Sequence, residues 1–291
     1  MITQSVITAV LIGTVITGVV PLIGGIALLA VHKIKASSFW AGVLTYIIAM
    51  IAFSLISLVI TLSSLDMSSM SSVLGGSVSP GLQTALQIVM AVCFALSMSI
   101  CIIFCMKKTR TFAGALSCGL GLAAAHLITA AVSFVSMYIN FLNVNSGAFD
   151  QQMAALVSMG VYTKEDVKLI REQFTAITTA DVFSSITLPV AFALMFAAAA
   201  VFIMRGVCAK KAAAGAGAAL VLFAVQFGAS GLIANAGAAA IIAAAVGAAA
   251  LIFAVRMRKD IIPPEKPSYA NDSFMQSIEN VKSEAGAADD K

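Results

Sequence analysis

Histidine and cysteine, the residue types best suited to metal or redox chemistry, concentrate between residues 91 and 127 of this 291-residue chain. The stretch holds His126, the only histidine deep within an apolar segment, and four of the five cysteines: Cys93, Cys101, Cys105 and Cys118. A catalytic metal ion needs about three His, Cys, Asp or Glu ligands and an open position for water, and peptide hydrolysis also needs a general base. The stretch contains no carboxylate. We therefore expect no catalytic residue, no metal centre and no cofactor, although His126 with Cys93, Cys101 or Cys118 stays open as a ligand set.

Two interpretations of His126 remain open. An ionisable residue inside a membrane span is a functional hypothesis by default, because its charge is costly there. The alternative, which we favour in the absence of a carboxylate partner, is a neutral imidazole bonded to a backbone carbonyl or to a hydroxyl such as Ser99, Ser117 or Thr129. The cysteines lack a CxxC pair and are expected to be small packing residues without a disulfide framework.

The composition places these residues in a membrane. Hydrophobic residues make up 60% of the chain and charged residues only 10%, and the only charge between Lys35 and Lys107 is Asp66. A bilayer core of about 30 Å needs roughly 20 helical residues to cross it. The long uncharged gaps therefore predict an all-α, polytopic transmembrane helical bundle in which each backbone amide is satisfied within its own helix. Seven spans are predicted, near residues 5–31, 39–62, 82–106, 111–140, 182–204, 212–232 and 235–255.

Lysine and arginine predict the orientation. Eleven of them fall in the loops after spans 1, 3 and 5 and at residues 256–259 after the last span, whereas the opposite loops hold only Lys164, Lys168 and Arg171. The positive-inside rule then predicts an outside N-terminus and a cytoplasmic C-terminus. We predict a seven-helix transmembrane domain over residues 1–259 and a disordered cytoplasmic tail over residues 260–291. The tail contains seven acidic and three basic residues, a composition typical of disordered segments.

The predicted extracytoplasmic loop, residues 143–181, carries its own helix signal. Thr163 followed by Asp166 is typical of a capping box. After it, four apolar residues fall near one helical face, namely Val167, Ile170, Phe174 and Ile177. We expect an amphipathic helix that lies on the outer membrane surface or covers the mouth of the bundle.

Other signals within the spans are structural. Pro21 with the glycines after it predicts a kink in the first span. The last two spans are rich in alanine and glycine, which predicts close backbone packing within the bundle or between copies. Gln226 and Asn235 are the polar residues of this region, and each is expected to bridge helices.

The run AVCFALSMSICIIFCMKKTRTFAGALSCGLGLAAAHL, residues 91–127, resembles the signature region of the YhfC family, intramembrane metallopeptidases related to the PrsW and CPBP families. Phe94 matches an aromatic position of the family, and Gly119, Leu120 and Gly121 match its G-L-G. The segment YINFLNVNSG, residues 138–147, is similar to the end of the family's next helix. The resemblance implies a helical membrane-peptidase scaffold.

The ionisable positions of that family are occupied by other residues here. By the same resemblance, the two glutamates correspond to Ala95 and Leu96, the arginine to Ser99, the histidine to Leu122, the next glutamate to His126, and the H-x-x-x-D pair to Gln226 and Ser230. The resemblance therefore implies a rewritten site whose polar core residues are Ser99, His126, Gln226 and Ser230, without the family's catalytic groups.

These observations predict a YhfC-like pseudoenzyme: a catalytically inactive, multi-pass protein of a bacterial plasma membrane that acts as a membrane binding or scaffold protein. Its expected partners are the lipid bilayer and other membrane proteins or peptides, with no nucleic acid, and the sequence leaves the oligomeric state open. Two alternatives remain, an active intramembrane metallopeptidase with a non-standard site and a small-solute transporter. A transporter normally shows charged residues inside its spans, and these spans have none in their interior.

Overall fold

A computed structural model describes residues 1–21, 23, 36–64, 80–232 and 236–261. All regular secondary structure in these ranges is helical. The helices are α1 (Gln4–Thr14), α2 (Ala36–Ser64), α3 (Pro80–Ile100), α4 (Phe112–Ser146), α5 (Ala148–Ser158), α6 (Lys164–Ala176), α7 (Thr179–Cys208), α8 (Ala212–Leu232) and α9 (Ala236–Arg256). The prediction of an all-α fold is confirmed for the described part of the chain.

Within the described ranges, five helical segments are long and apolar enough to cross a membrane: Ala36–Ile60, Thr84–Cys105, Phe112–Ser146, Thr179–Cys208 and Gly237–Asp260. Two further apolar helices, Gln4–Val19 and Ala212–Gly228, are shorter within the described residues. The chain is therefore a multi-pass membrane protein by the length and composition of its helices.

Helix α7 lies at the centre of the bundle. It packs against α9, α4, α8 and α1, while α2 packs on α4 and α3, and α8 also packs on α3. Much of α7 is buried, including the continuous run Phe196–Val201. A helix that is apolar all round suits this position because it is covered by neighbours on most sides.

The long α4 ends later than predicted. Thr111 caps its start by accepting a hydrogen bond from the Gly114 N–H at 3.0 Å, and its last residue is Ser146 rather than residue 140. Gly147 then takes a φ of +80°, a left-handed conformation that glycine adopts without steric cost, and α5 begins directly after it. The loop predicted from residue 143 thus begins with the last turn of α4 and contains α5 as well as α6.

The first span is distorted just before Pro21. A π-helical turn covers Val15–Val19, and the Val20 N–H bonds to the Val15 carbonyl, five residues back. Proline lacks an N–H and its ring would clash with the carbonyl four residues before it, at Thr17, so a widened turn accommodates it. The structure thus shows a widened turn just before Pro21. The predicted kink itself stays a prediction, because residue 22 and residues 24–31 of the predicted span lie outside the described ranges.

The amphipathic helix is confirmed as α6. Thr163 and Asp166 form the predicted capping box. The four apolar residues of its predicted face, Val167, Ile170, Phe174 and Ile177, pack against a core cluster formed by α1, α4, α5 and α7. The helix therefore covers this end of the bundle.

Close packing of the two small-residue helices within the bundle is also confirmed. A Cβ atom added to Gly215 of α8 would lie 2.8 Å from the Phe202 carbonyl oxygen, and one added to Gly247 of α9 would lie 2.8 Å from the Ala191 carbonyl oxygen. Both helices thus approach the backbone of α7 at a glycine.

The described helices belong to one compact unit, Met1–Ile261. Most of the predicted tail, residues 262–291, lies outside the described ranges. The same is true of Asn235.

Candidate functional site

Six aromatic rings from four helices meet in the middle of the bundle. They are Tyr46 of α2, Phe94 of α3, Phe192 and Phe196 of α7, and Phe223 and Phe227 of α8, and we call this set the aromatic core. Its ring centroids lie 4.8 Å apart for Phe192 and Phe227 and 5.2 Å apart for Phe94 and Phe196. Tilted and edge-on contacts at such distances stabilise aromatic pairs beyond their buried area.

His126 lies against one side of the aromatic core. Its ring centroid is 5.4 Å from Phe192, 5.5 Å from Phe196 and 6.0 Å from Tyr46, with each neighbour close to edge-on. The Nε2 atom is buried and has no hydrogen-bond partner among the described residues. The bond that we expected, to a backbone carbonyl or to a hydroxyl, does not form at this atom among the described residues. Two of the hydroxyls that we considered donate within their own helices, Ser99 to the Ala95 carbonyl at 2.7 Å and Thr129 to the Ala125 carbonyl at 3.0 Å.

Gln226 lies on α8 between two residues of the aromatic core, Phe223 and Phe227. Its side chain is 0% exposed, and neither amide atom has a hydrogen-bond partner in the described part of the chain. The next residue, Phe227, contacts Phe192, which in turn contacts His126. A buried amide without a partner costs roughly 1–3 kcal/mol. The expectation that Gln226 bridges helices is therefore wrong for the described residues, and the structure instead holds two unpartnered polar groups beside one aromatic core.

The other predicted positions are less central. Ser99 is buried, but its hydroxyl bonds only to its own helix. The side chain of Ser230 lies outside the described set. Of the two positions that would correspond to the glutamates of the YhfC family, Ala95 is buried and Leu96 is 57% exposed. Of the predicted site residues, His126 contacts the aromatic core directly, and Gln226 adjoins it in sequence through Phe227.

The two glycines of the G-L-G match have a packing role. A Cβ atom on Gly119 would lie 2.6 Å from Ala197 Cα of α7, and one on Gly121 would overlap the Phe39 carbonyl of α2. On the partner helix, Gly42 of α2 makes an equally close approach to the Cys118 carbonyl. Small residues at these positions let α2 and α7 approach α4 from two sides, which holds Tyr46 and Phe196 beside His126.

The cysteines are free thiols within the packed helices. Cys93, Cys101 and Cys118 are buried, and Cys101 Sγ lies 3.4 Å from the Ala41 carbonyl oxygen. Among the described residues no group of three His, Cys, Asp or Glu side chains comes close enough to hold a metal ion. The side chains that the structure shows in contact with the His126 ring are aromatic rings rather than His, Cys, Asp or Glu ligands.

Sequence reasoning did not identify the aromatic core. One signal was present: Phe192 and Phe196, and again Phe223 and Phe227, are spaced four residues apart in otherwise small-residue helices. This spacing puts both rings of a pair on one helical face. Nothing local in the sequence shows that the two faces meet.

Comparison of the chain with models of protein families, with curated proteins and with solved structures finds no match. The resemblance to the YhfC family consequently rests on sequence motifs, chiefly those of residues 91–147.

Proposed function

We propose that this protein is a non-catalytic membrane binding or scaffold protein built on a YhfC-like helical framework. The observation that carries the proposal is the aromatic core. The positions that would correspond to the ionisable residues of the YhfC family hold Ala95, Leu96, Ser99, Leu122, His126, Gln226 and Ser230. Phenylalanine rings pack edge-on against the one imidazole among them. Phenyl rings neither ligate a metal ion nor transfer protons, so this arrangement favours packing and recognition over hydrolysis.

Binding is favoured by the hydrogen-bonding capacity that the site leaves unused. His126 Nε2 and the Gln226 amide lie away from water, and in lipid-surrounded protein such groups gain most from a polar partner. A peptide carbonyl or amide of a partner segment would supply that partner.

The proposed topology is seven membrane spans with the N-terminus outside and the C-terminus in the cytoplasm of a bacterial cell. It counts the two shorter apolar helices, α1 and α8, as spans together with the five long ones. In this topology the basic residues after α3, α7 and α9 face the cytoplasm, and α5 and α6 face outside. A fluorescent-protein fusion at the C-terminus should fluoresce and an alkaline phosphatase fusion there should be inactive, and the reverse pair of results would overturn the orientation.

A surface for partner helices is present on α2. This helix is the least buried of the five long spans. Its exposed side carries Trp40, Leu44, Ile47, Ile48, Ile51 and Leu55. An apolar helix face of this length in a membrane contacts either lipid or another protein.

Photocrosslinking in native membranes tests the scaffold proposal. A benzoylphenylalanine probe at Ile51, which is 56% exposed, should form a discrete adduct with another polypeptide, whereas a probe at the fully buried Ala49 should not. A second probe at Ile241, exposed on α9, examines the exposed surface of another helix. Adducts with lipid alone at both Ile51 and Ile241 would contradict a scaffold role.

A further inference from the structure

A cavity of about 400 Å³ opens between α7, α8 and α9, at the end of the bundle where the basic residues lie. It exists because α8 and α9 both pack on α7 but contact each other much less. On one side, α7 and α8 cross at two glycines, where a Cβ on Gly206 would lie 2.8 Å from Gly215 Cα. The volume falls within the range of ordinary small-molecule sites, about 300–1,000 Å³.

The rim of this cavity is cationic. Arg205 and Lys211 both line it. Arg205 Nη2 pairs with Asp260 at 2.9 Å, but Nη1 donates only to the Met257 sulfur at 3.4 Å. A thioether is a weak acceptor, so this guanidinium retains donors that a phosphate oxygen would bind far better. Lys211 makes no ion pair with any described carboxylate.

The backbone adds to the positive field at the rim. Lys211 directly precedes α8, and its carbonyl accepts the N–H groups of Ala214 and Gly215. The N–H groups at the very start of a helix have no partner within the helix and carry its positive dipole end. Two cationic side chains, Arg205 and Lys211, beside the start of a helix form a favourable place for an anion.

The floor of the cavity is apolar. Phe202 of α7 and Phe253 of α9 line it with their rings 6.1 Å apart, and Ala218 of α8 completes this side. Phe253 is 55% exposed on the outer surface of the bundle, so the floor continues onto the lipid-facing side. A free anion would use the rim but not this floor. An amphiphile with an anionic head and an acyl chain would use both.

We propose that this cavity binds an anionic phospholipid, with its phosphate between Arg205 and Lys211 and an acyl chain along Phe202 and Phe253. Basic pockets between membrane helices are suited to anionic headgroups because charge and apolar area act together at the interface. Such a lipid would fill the gap between α8 and α9 and fix both helices on α7.

Native mass spectrometry of the full chain in neutral detergent, titrated with phosphatidylglycerol or phosphatidylcholine, tests the proposal. We expect one phosphatidylglycerol to be retained per chain and no comparable retention of phosphatidylcholine. The double variant Arg205→Gln, Lys211→Gln should bind phosphatidylglycerol at least about tenfold more weakly, given about 1 kcal/mol or more per basic contact. The control double variant Lys107→Gln, Lys108→Gln removes two exposed charges outside the cavity and should bind as the wild type does.

A second variant pair tests the apolar part without changing charge. Ala218→Phe fills the cavity floor from an exposed position and should lower phosphatidylglycerol retention, while Val221→Phe, one turn away and outside the cavity, should not. Three outcomes would overturn the proposal: equal lipid binding by all variants, competition by inorganic phosphate at concentrations matching the lipid, or lipid binding that appears only after residues 262–291 are removed. The second would assign the site to a free phosphate, and the third to the chain's own acidic tail.

Discussion

Gly119 of α4 and Ala197 of α7 lie backbone against backbone. A Cβ atom on Gly119 would lie 2.6 Å from the Ala197 Cα and 2.8 Å from the Phe196 carbonyl oxygen. Both contacts are with main-chain atoms, which cannot turn aside as a flexible side chain can. The α4–α7 contact therefore depends on glycine at this position, and with it the placement of Phe196 against His126.

Gly119→Ala should destabilise the bundle by about 1–3 kcal/mol, the usual cost of overpacking a tight contact. The matched control is Gly217→Ala on α8, where a Cβ atom would have no atom of the described residues within 4 Å. In that open site alanine should be neutral or should stabilise the helix by up to about 1 kcal/mol. Denaturant unfolding in detergent micelles measures both, and equal effects of the two variants would contradict the packing argument.

Gln226→Leu should stabilise the protein by about 1–3 kcal/mol because it removes a buried amide that has no hydrogen-bond partner among the described residues. Gln226→Glu, of nearly the same shape, should be strongly destabilising because it adds a charge to the aromatic core. Thermal unfolding in micelles gives both values. Destabilisation by Gln226→Leu would show that the amide has a partner in the folded protein.

The attachment of α6 should depend on its apolar face rather than on its ion pair. The Phe174 ring lies 6.2 Å from Phe141 and 6.0 Å from Phe149, whereas Arg171 and Asp150 form a 2.9 Å ion pair that is half exposed. Exposed pairs contribute about 0–1 kcal/mol. Phe174→Ala should speed hydrogen exchange and proteolysis throughout α6, and Asp150→Asn should change them little. The opposite ranking would contradict this account.

The start of α6 should loosen in acid. The Thr163 backbone N–H, and then its hydroxyl, hold the pKa of Asp166 below its ordinary value of 3.8. Because the folded pKa is lowered, the stabilisation is present above pH 3.8 and is lost as the pH falls through the lowered pKa.

Hydrogen exchange in the first turn of α6 measures this change. The ratio of the exchange rate in Asp166→Ala to that in the wild type cancels the intrinsic pH dependence of exchange. The ratio should exceed one at neutral pH and approach one in acid, as the wild type loses its carboxylate. A ratio that is independent of pH would contradict a role for the ionised carboxylate.

Sequence patterns predict the helices well because bilayer thickness and hydropathy constrain them directly. The start of α8 at Ala212, the capping box at Thr163 and the apolar face of α6 all agree with the structure. The end of α4 does not, because the segment from 141 to 146 is polar enough to suggest a loop. Its helix continues because Phe141 and Val144 pack into the core cluster beneath α6.

The candidate site could be predicted only in part. His126 and Gln226 were identified from their polarity in apolar surroundings, which is a local signal. The aromatic core depends on which helix faces meet, and that depends on contacts such as the one between Gly42 and Cys118. Gly42 has no neighbouring motif to mark it, and its role follows only from the distance between two backbones.

The central claim is that aromatic packing has taken the place of catalytic chemistry around His126. Elemental analysis of the detergent-purified protein, beside a His126→Ala variant that still elutes as a folded species, tests this claim most directly. We predict no stoichiometric zinc in either sample. Stoichiometric zinc in the wild type that is lost in His126→Ala would contradict the account and would establish a metal centre at this histidine.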